Sequence, residues 1–471
     1  MKTKTLFLAL MLSSFSLFTI HAFSCSTFKL QKGKGLVYGH NLNQGDIGVP
    51  GMIFINKRGV FKIGRTWSEL TTKERNDPSG FSWISRYGSV TFNCFGKDLP
   101  DGGMNEAGLF IWEMSEDPEY PTGTGLPKLD QMSWMQYILD NYSTTDEALQ
   151  ATAGIEICGW GWHYFIGDAQ GNVAALTWVD GEMLVYKNED MPVAGLFNEP
   201  YAREMEVLKY FKGYGGDYEI DISDEKVPRI AKAAKLIDEY CPEEDIVEYG
   251  LQMLDKLQVS DEPEWSVLFD EKEMKVYFKT RLNPEIKSLS MNDIDFSNDG
   301  PSLILDIDEA KSGEEISQLH PYTNYEFSEF TKSKVFPIFP EQMLTAGGLT
   351  LDEYLIRMSS HSDEAEEVEK QFFAGSWKNE ADTAKDETSI LIFIKTNAST
   401  VHASLSFSGS LDNAYNVDHL QMIGENIRFT LKTKKGTLLE VKAVIKEDEM
   451  VLDLAGIEDF YGSYSLKRIK D

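Results

Sequence analysis

Cysteine is scarce in this chain, 4 among 471 residues, and Cys25, Cys94, Cys158 and Cys241 lie too far apart for any Cys-x-x-Cys pair. That spacing removes zinc ribbons and dithiol redox motifs, which need thiols at short intervals. Histidine is sparse too, 7 in all, and forms no cluster with cysteine, so neither a metal nor a cofactor is expected. Positive charge is heavily outweighed: 45 Lys and Arg face 76 Asp and Glu, a formal net charge of −31. Nucleic acids and anionic membranes are recognised through phosphate neutralisation, so this balance excludes both as expected partners. Beyond the first two dozen residues no apolar run approaches the roughly 20 needed to span a bilayer, and no membrane span is expected.

What is present begins with a leader. Lys2 and Lys4 precede the apolar run LFLALMLSSFSLFTI, and Ala22 and Ser24 place small side chains three residues and one residue before Cys25. This is the layout of a secretory signal peptide over residues 1–24, implying an exported, periplasmic or extracellular protein. A lipoprotein signal is the alternative, but Ala22, Phe23 and Ser24 fit its small-residue frame badly at Phe23. A cut after Ala22 followed by trimming is a second route to the same start. An even cysteine count in an oxidising compartment would ordinarily suggest two disulfides. If Cys25 is a free nucleophile the remaining three cannot all pair, and they read as buried apolar thiols.

Two unlike halves follow. From 25 to 316 the chain mixes β segments (CSTFKLQK, GKGLVYGHNL, GMIFINKRGVFKI, and the meander HYFIGDAQGNVAALTWVDGEMLVYK) with amphipathic helices at LDQMSWMQYILDNY, PYAREMEVLKYF, PRIAKAAKLIDEY and EEDIVEYGLQMLDKL. Strands grouped apart from helices predict α+β layers, not a doubly wound parallel sheet. Residues 317–365 hold prolines without sustained periodicity and read as a connecting segment, with a short helix at LTLDEYLIRM and a solvated acidic helix at SSHSDEAEEVEKQF. From 366 to 471, short alternating strands with tight turns predict a small antiparallel β-barrel or sandwich. It is either a lipocalin-like ligand cup or a rigid accessory module.

A cysteine that becomes the first residue can perform acyl transfer with few parts, because its thiol attacks while its own α-amine, pKa near ~8, moves the proton. The blocks around it point the same way. CSTF, YGHNLNQ, GGMNEAGLFI, HYFIGDAQGN, LFNEPY, VPRIAKAA, WSVLFDEKEMKVYFKT and NPEIKSLSM occur in this order, and together they resemble the choloylglycine hydrolase family of N-terminal-nucleophile hydrolases, which includes penicillin V acylases and bile salt hydrolases.

The resemblance implies a four-layer αββα hydrolase domain over 25–316 that cleaves a linear carbon–nitrogen amide bond of a small N-acyl substrate. It also implies roles: Cys25 the nucleophile, Asn198 an oxyanion donor, Arg229 a residue steadying the site. His40 and Asn43 of GHNLN stand where the family has Arg and Asp. On that alignment His40 is expected to supply a cation charged only part of the time near neutral pH, and Asn43 to accept from the α-amine. The family's second oxyanion asparagine is absent near Ser115. His163 and Asp168 read as a core strand entering a turn, and GGMNEAGL as a turn, since no Lys-Ser/Thr pair follows it to cradle phosphate. Two further readings stay open: a weak or inactive relative that binds a ligand or partner, and a surface protein lipid-anchored through Cys25. The sequence leaves a homo-oligomer open as well.

Intact mass of the secreted protein should correspond to a start at Cys25 with a free amine. A diacylglyceryl adduct on Cys25 would block the nucleophile, and a start well downstream would delete it.

Overall fold

The structure is a computed structural model that describes residues 25–43, 49–74, 77–258, 265–313, 315–338, 346–359, 375–379, 391–397, 400–406, 415–423, 426–432, 438–446, 449–457 and 460–469. The leader and the acidic stretch 360–374 lie outside the described residues.

Two antiparallel sheets stack face to face. The first contains β1 (Ser26–Lys32), β2 (Gly35–Leu42), β14 (Gly195–Leu196), β15 (Trp265–Asp270), β16 (Lys275–Thr280) and β17 (Lys287–Ser290), in the order β14-β1-β2-β15-β16-β17. The second adds β3 (Met52–Asn56), β6 (Ser89–Asn93), β7 (Gly102–Asn105), β8 (Phe110–Ser115), β11 (Trp162–Gly167), β12 (Val173–Val179), β13 (Glu182–Lys187), β18 (Leu303–Asp306) and β19 (His320–Pro321). Its order is β13-β12-β11-β8-β7-β6-β3-β18-β19.

The period-2 alternation of strands assigns the layers. On β1 and β2, Phe28, Leu30 and Val37 face outward and pack with Ile230, Ala234, Leu251 and Leu254 of the helices Arg229–Glu239 and Ile246–Leu257. Leu36, Tyr38 and Leu42 point the other way, into the core shared with Trp112 and Met114 of β8. The helix Gln131–Asn141, capped by the Asp130 carboxylate accepting from Met132 and Ser133 N–H, covers the second sheet along β7 and β8. The result is the expected αββα stack in an α+β fold.

The GGMNEAGL block is the turn predicted for it. The Asn105 side-chain oxygen accepts from the N–H groups of Ala107 and Leu109, and Gly108 takes a φ of +85° that a side chain would strain. Residues 317–359 are less loosely attached than their composition suggests. Phe327 and Phe330 of helix Asn324–Phe330, Val335, and Tyr354 and Met358 of helix Leu351–Ser359 all join the main core.

The C-terminal strands β20 (Gly375–Asn379), β21 (Leu391–Asn397), β22 (Thr400–Ser406), β23 (Tyr415–Ile423), β24 (Asn426–Lys432), β25 (Leu438–Lys446), β26 (Glu449–Ile457) and β27 (Phe460–Ile469) pair each with its chain neighbour, and β20 pairs with β27. This closes an up-and-down barrel in which Ile427, Phe429, Val441, Ala443, Ile445 and Leu452 are buried while Arg428, Lys442 and Asp453 alternate outward. Trp377 is wholly buried under the Arg468 guanidinium, 4.5 Å from its ring. Closure is incomplete along β23, which meets β22 only at Asn416 and Tyr415. Farther along, Gln421–Ile423 pair instead with β5 (Phe81–Ile84), itself paired with β4 (Phe61–Ile63). A hairpin from the hydrolase half therefore extends the barrel sheet.

That hairpin is anchored by a buried charge cluster. Lys62 of β4 lies 2.8 Å from the Asp98 carboxylate and 3.0 Å from that of Asp140, which also accepts from the Trp83 indole at 2.7 Å. Burial pushes the Asp140 carboxyl up to about 6, opposed by the Lys62 charge. Replacing Lys62 by Met should leave two buried carboxylates without their cation and cost about 3–5 kcal/mol in urea denaturation. In that variant the Asp140 carboxyl should titrate higher than its wild-type value of about 6, so the loss relative to wild type should grow as pH rises through about 6 and be smaller at about pH 5 than at about pH 8.

Candidate active site around Cys25

Cys25 sits immediately before β1, fully buried. The Arg229 guanidinium, at the first residue of helix Arg229–Glu239, donates to the Cys25 carbonyl, to Ser26 Oγ at 3.0 Å and to Asn198 Oδ1 at 3.0 Å, and it lies 5.3 Å over the Phe197 ring. Asn198 follows β14, and its Nδ2 donates to the Ser115 carbonyl at 3.0 Å. These bonds orient the amide, with the oxygen toward the cation and the nitrogen toward the end of β8. One of its two N–H bonds is used by Ser115, and the other is available. Cys25, Asn198 and Arg229, far apart in sequence, are thus brought to one place.

Asn43 also reaches Cys25, though by its backbone N–H, which donates to the thiol and lowers its pKa. Burial acts more strongly in the opposite direction and drives the thiol well up, with the Glu113 carboxylate adding to that rise and the Arg229 charge opposing it. Glu113 is itself pushed up by burial and then by Asp101, whose carboxyl burial raises to about 7.

The expectation for His40 is corrected. Its ring is fully buried, stacked on Trp112 at 4.3 Å between centroids and 17° between planes, and its Nδ1 lies 2.8 Å from Thr27 Oγ1. Thr27 Oγ1 also donates to Met114 sulfur at 2.8 Å. Burial holds the imidazole well below its usual pKa, so it is neutral and supplies no cation. The physical reason is parity: His40 shares the inward face of β2 with Leu36, Tyr38 and Leu42, and that face is dry. The fixed positive charge beside the thiol is Arg229. All four thiols are free, and of the three read as buried apolar thiols only Cys94 is buried, Cys158 being half-buried and Cys241 exposed.

Sequence reasoning missed several neighbours. Ser26 binds the cation, Thr27 holds His40, and Glu204 is a buried carboxylate whose charge acts on Arg229. Glu113 was detectable as the one acid in the otherwise apolar strand FIWEMS. Glu204 was less so, because its helix presents acids on several faces.

No protein-family model matches the chain. A penicillin V acylase from Pectobacterium atrosepticum is 23% identical, over 47% of this chain and 70% of that protein. The solved penicillin V acylase of Agrobacterium tumefaciens superposes with a TM-score of 0.55 at 20% identity, covering 64% of this chain and 98% of its own. A conjugated bile acid hydrolase variant from Clostridium perfringens gives a TM-score of 0.46 at 15% identity, over 61% and 98%. The chain has the fold of the penicillin V acylases. Its likeness to the choloylglycine hydrolase and penicillin V acylase family therefore holds in sequence motifs and in architecture. About a third of this chain lies outside the superposed share.

Among the described residues no group of His, Cys, Asp and Glu could hold a metal ion, and no helix is long and apolar enough to cross a membrane. The site's chemistry is that of a thiol, a fixed guanidinium and an oriented amide.

A buried neutral His40 has a measurable consequence. Its folded pKa lies below the unfolded value of about 6.5, so the unfolded chain binds the extra proton and stability falls as pH drops below that value. At about pH 5.5 this one group should remove about 1.4 kcal/mol. Proton NMR should show the His40 C2–H shift constant down to that pH. A midpoint near 6.5 would mean that the ring is solvated.

Proposed function

We propose that this protein is an exported cysteine amidase that cleaves the linear carbon–nitrogen bond of a small N-acyl substrate, with Cys25 as nucleophile once the leader is removed. The observation that carries the reading is the Asn198 amide, held by Arg229 and Ser115 with one N–H unspent beside Cys25. Likeness to a penicillin V acylase in sequence and in fold supports the same reaction class.

The chemistry follows from the parts. The thiol is neutral in its buried setting, so attack on the substrate carbonyl needs a base, and the α-amine exposed by cleavage before Cys25 takes the S–H proton. As the carbonyl oxygen gains charge, the unspent Asn198 N–H donates to it. The tetrahedral carbon then expels the amine, which takes the proton back from the α-ammonium, leaving an acyl-thioester on Cys25. Water then attacks the thioester while the α-amine takes its proton, and as the carbon–sulfur bond breaks that proton passes to the Cys25 sulfur and the acid is released. Arg229 supplies the permanent charge that offsets part of the burial penalty on the sulfur. No metal or cofactor enters any step.

Relatives named for penicillin V and for conjugated bile acids define a panel: penicillin V, a glycine-conjugated bile salt and an N-acyl p-nitroanilide. Cys25→Ser should abolish cleavage across the panel while far-UV circular dichroism stays that of the folded protein. Asn198→Ala should lower kcat about 10²- to 10³-fold through weakened oxyanion binding. Equal turnover by wild type and Cys25→Ser would overturn the assignment.

A further inference from the structure

His163 takes no part in the acyl transfer, yet it lies, 1% exposed, between the two segments that hold Asn198. Its Nε2 is 2.5 Å from the carbonyl oxygen of Phe197, the residue before Asn198. Its Nδ1 is 3.4 Å from the carboxylate of Glu116, the residue after the Ser115 carbonyl that receives the Asn198 amide. Glu116 is fixed in turn, its N–H donating to the Gly161 carbonyl at 3.2 Å and its carboxylate accepting from Thr177 Oγ1 of β12.

A carbonyl oxygen can only accept, so Nε2 must carry a hydrogen, and the partner at Nδ1 decides whether the ring carries a second. Either Glu116 is protonated and donates to a bare Nδ1, or it is ionised and accepts from a protonated one. Both arrangements leave a hydrogen on Nε2. Burial raises the Glu116 carboxyl and lowers the His163 ring to about 4, which favours the neutral arrangement.

Resting on the amidase reading, we propose that His163, its tautomer locked by Glu116, is a positioning residue that ties the Phe197–Asn198 peptide to the end of β8 and holds the Asn198 amide at the oxyanion position. Arg229 and Ser115 set the plane of the amide, but both grip the side chain. His163 grips the backbone from which that side chain hangs. Phe197 is buried and its carbonyl has few alternatives to this bond. Were it released, the peptide could rotate and carry Asn198 away from the developing charge. Displacements of about 1 Å at such a position can cost about 10²-fold in rate.

The test uses the full mature protein and the panel amide that wild type cleaves fastest. His163→Phe fills the space without a donor, and Glu116→Leu removes the lock. Each should lower kcat about 10- to 100-fold with KM changed by less than about threefold. Glu116→Gln, whose amide can donate to Nδ1, should restore kcat to within about threefold of wild type. In an Asn198→Ala background neither His163→Phe nor Glu116→Leu should cost more than about threefold further, because both act through the missing amide. Equal losses in both backgrounds, or a rise in KM at constant kcat, would overturn the proposal.

A readout independent of activity covers the variants that fold poorly: in ¹⁵N NMR of the wild type, His163 Nε2 should stay protonated from about pH 5 to about pH 9. A deprotonated Nε2 would also overturn it. Turnover unaffected by Cys25→Ser would instead overturn the amidase reading and leave the tautomer result to stand or fall alone.

Discussion

The site depends on one guanidinium. Arg229 donates to the Cys25 carbonyl, the Ser26 hydroxyl and the Asn198 amide oxygen from the first residue of a single helix, and stacks over Phe197. A lysine could supply the charge but not the fork, since three acceptors in different directions need a planar, multiply donating head. The remaining architecture serves to deliver that head. The helix Arg229–Glu239 is pressed onto β1 through Ile230, Ala233 and Ala234 packing with Phe28 and Leu30. The same apolar contact that seats the helix therefore sets the distance between the guanidinium and Cys25. Glu204 faces Arg229 from a neighbouring helix, where burial raises its carboxyl and the guanidinium opposes that rise.

The second constraint is dryness. Stacking two sheets face to face leaves an inner layer about 10 Å thick from which water is excluded. Cys25, Thr27, His40, Trp112 and Met114 all lie in it or at its edge. Dryness suppresses ionisation of every group that arrives there, which is why the thiol and Glu113 titrate high and His40 titrates low. Any catalysis at this position must use a base that appears without a standing charge. A neutral α-amine meets that requirement, whereas a carboxylate would not.

Much of this was legible in the sequence, and the limits are physical. The blocks CSTF, LFNEPY and VPRIAKAA identify the residues that meet at the site, because short segments there carry several constraints at once. The parity of GLVYGHNL, with Leu36, Tyr38, His40 and Leu42 in phase, already held the news that His40 faces a core. Alignment with a family position that usually carries charge drew the expectation the other way, and local burial overrode it. The His163–Glu116 pair was not legible. Its members lie on strands β11 and at the end of β8, and its acceptor follows β14, so it exists only once three strands are placed side by side. The same holds for the β5–β23 pairing, since nothing in FSWI marks it as the strand that meets the barrel.

One feature of the geometry bears on when the site comes into being. Its described contacts run through the Cys25 carbonyl, the Cys25 sulfur and the Ser26 hydroxyl, and none of these atoms changes when the peptide bond before Cys25 is cut. The cation, the oriented amide and the buried thiol can therefore be assembled while residue 25 is still joined to what precedes it. Cutting that bond converts an amide nitrogen, which cannot take up a proton near neutral pH, into an amine that can. On the proposed reading the fold sets the geometry and cleavage would supply the base, so a precursor would be fully formed and still unable to move the proton that the thiol must lose.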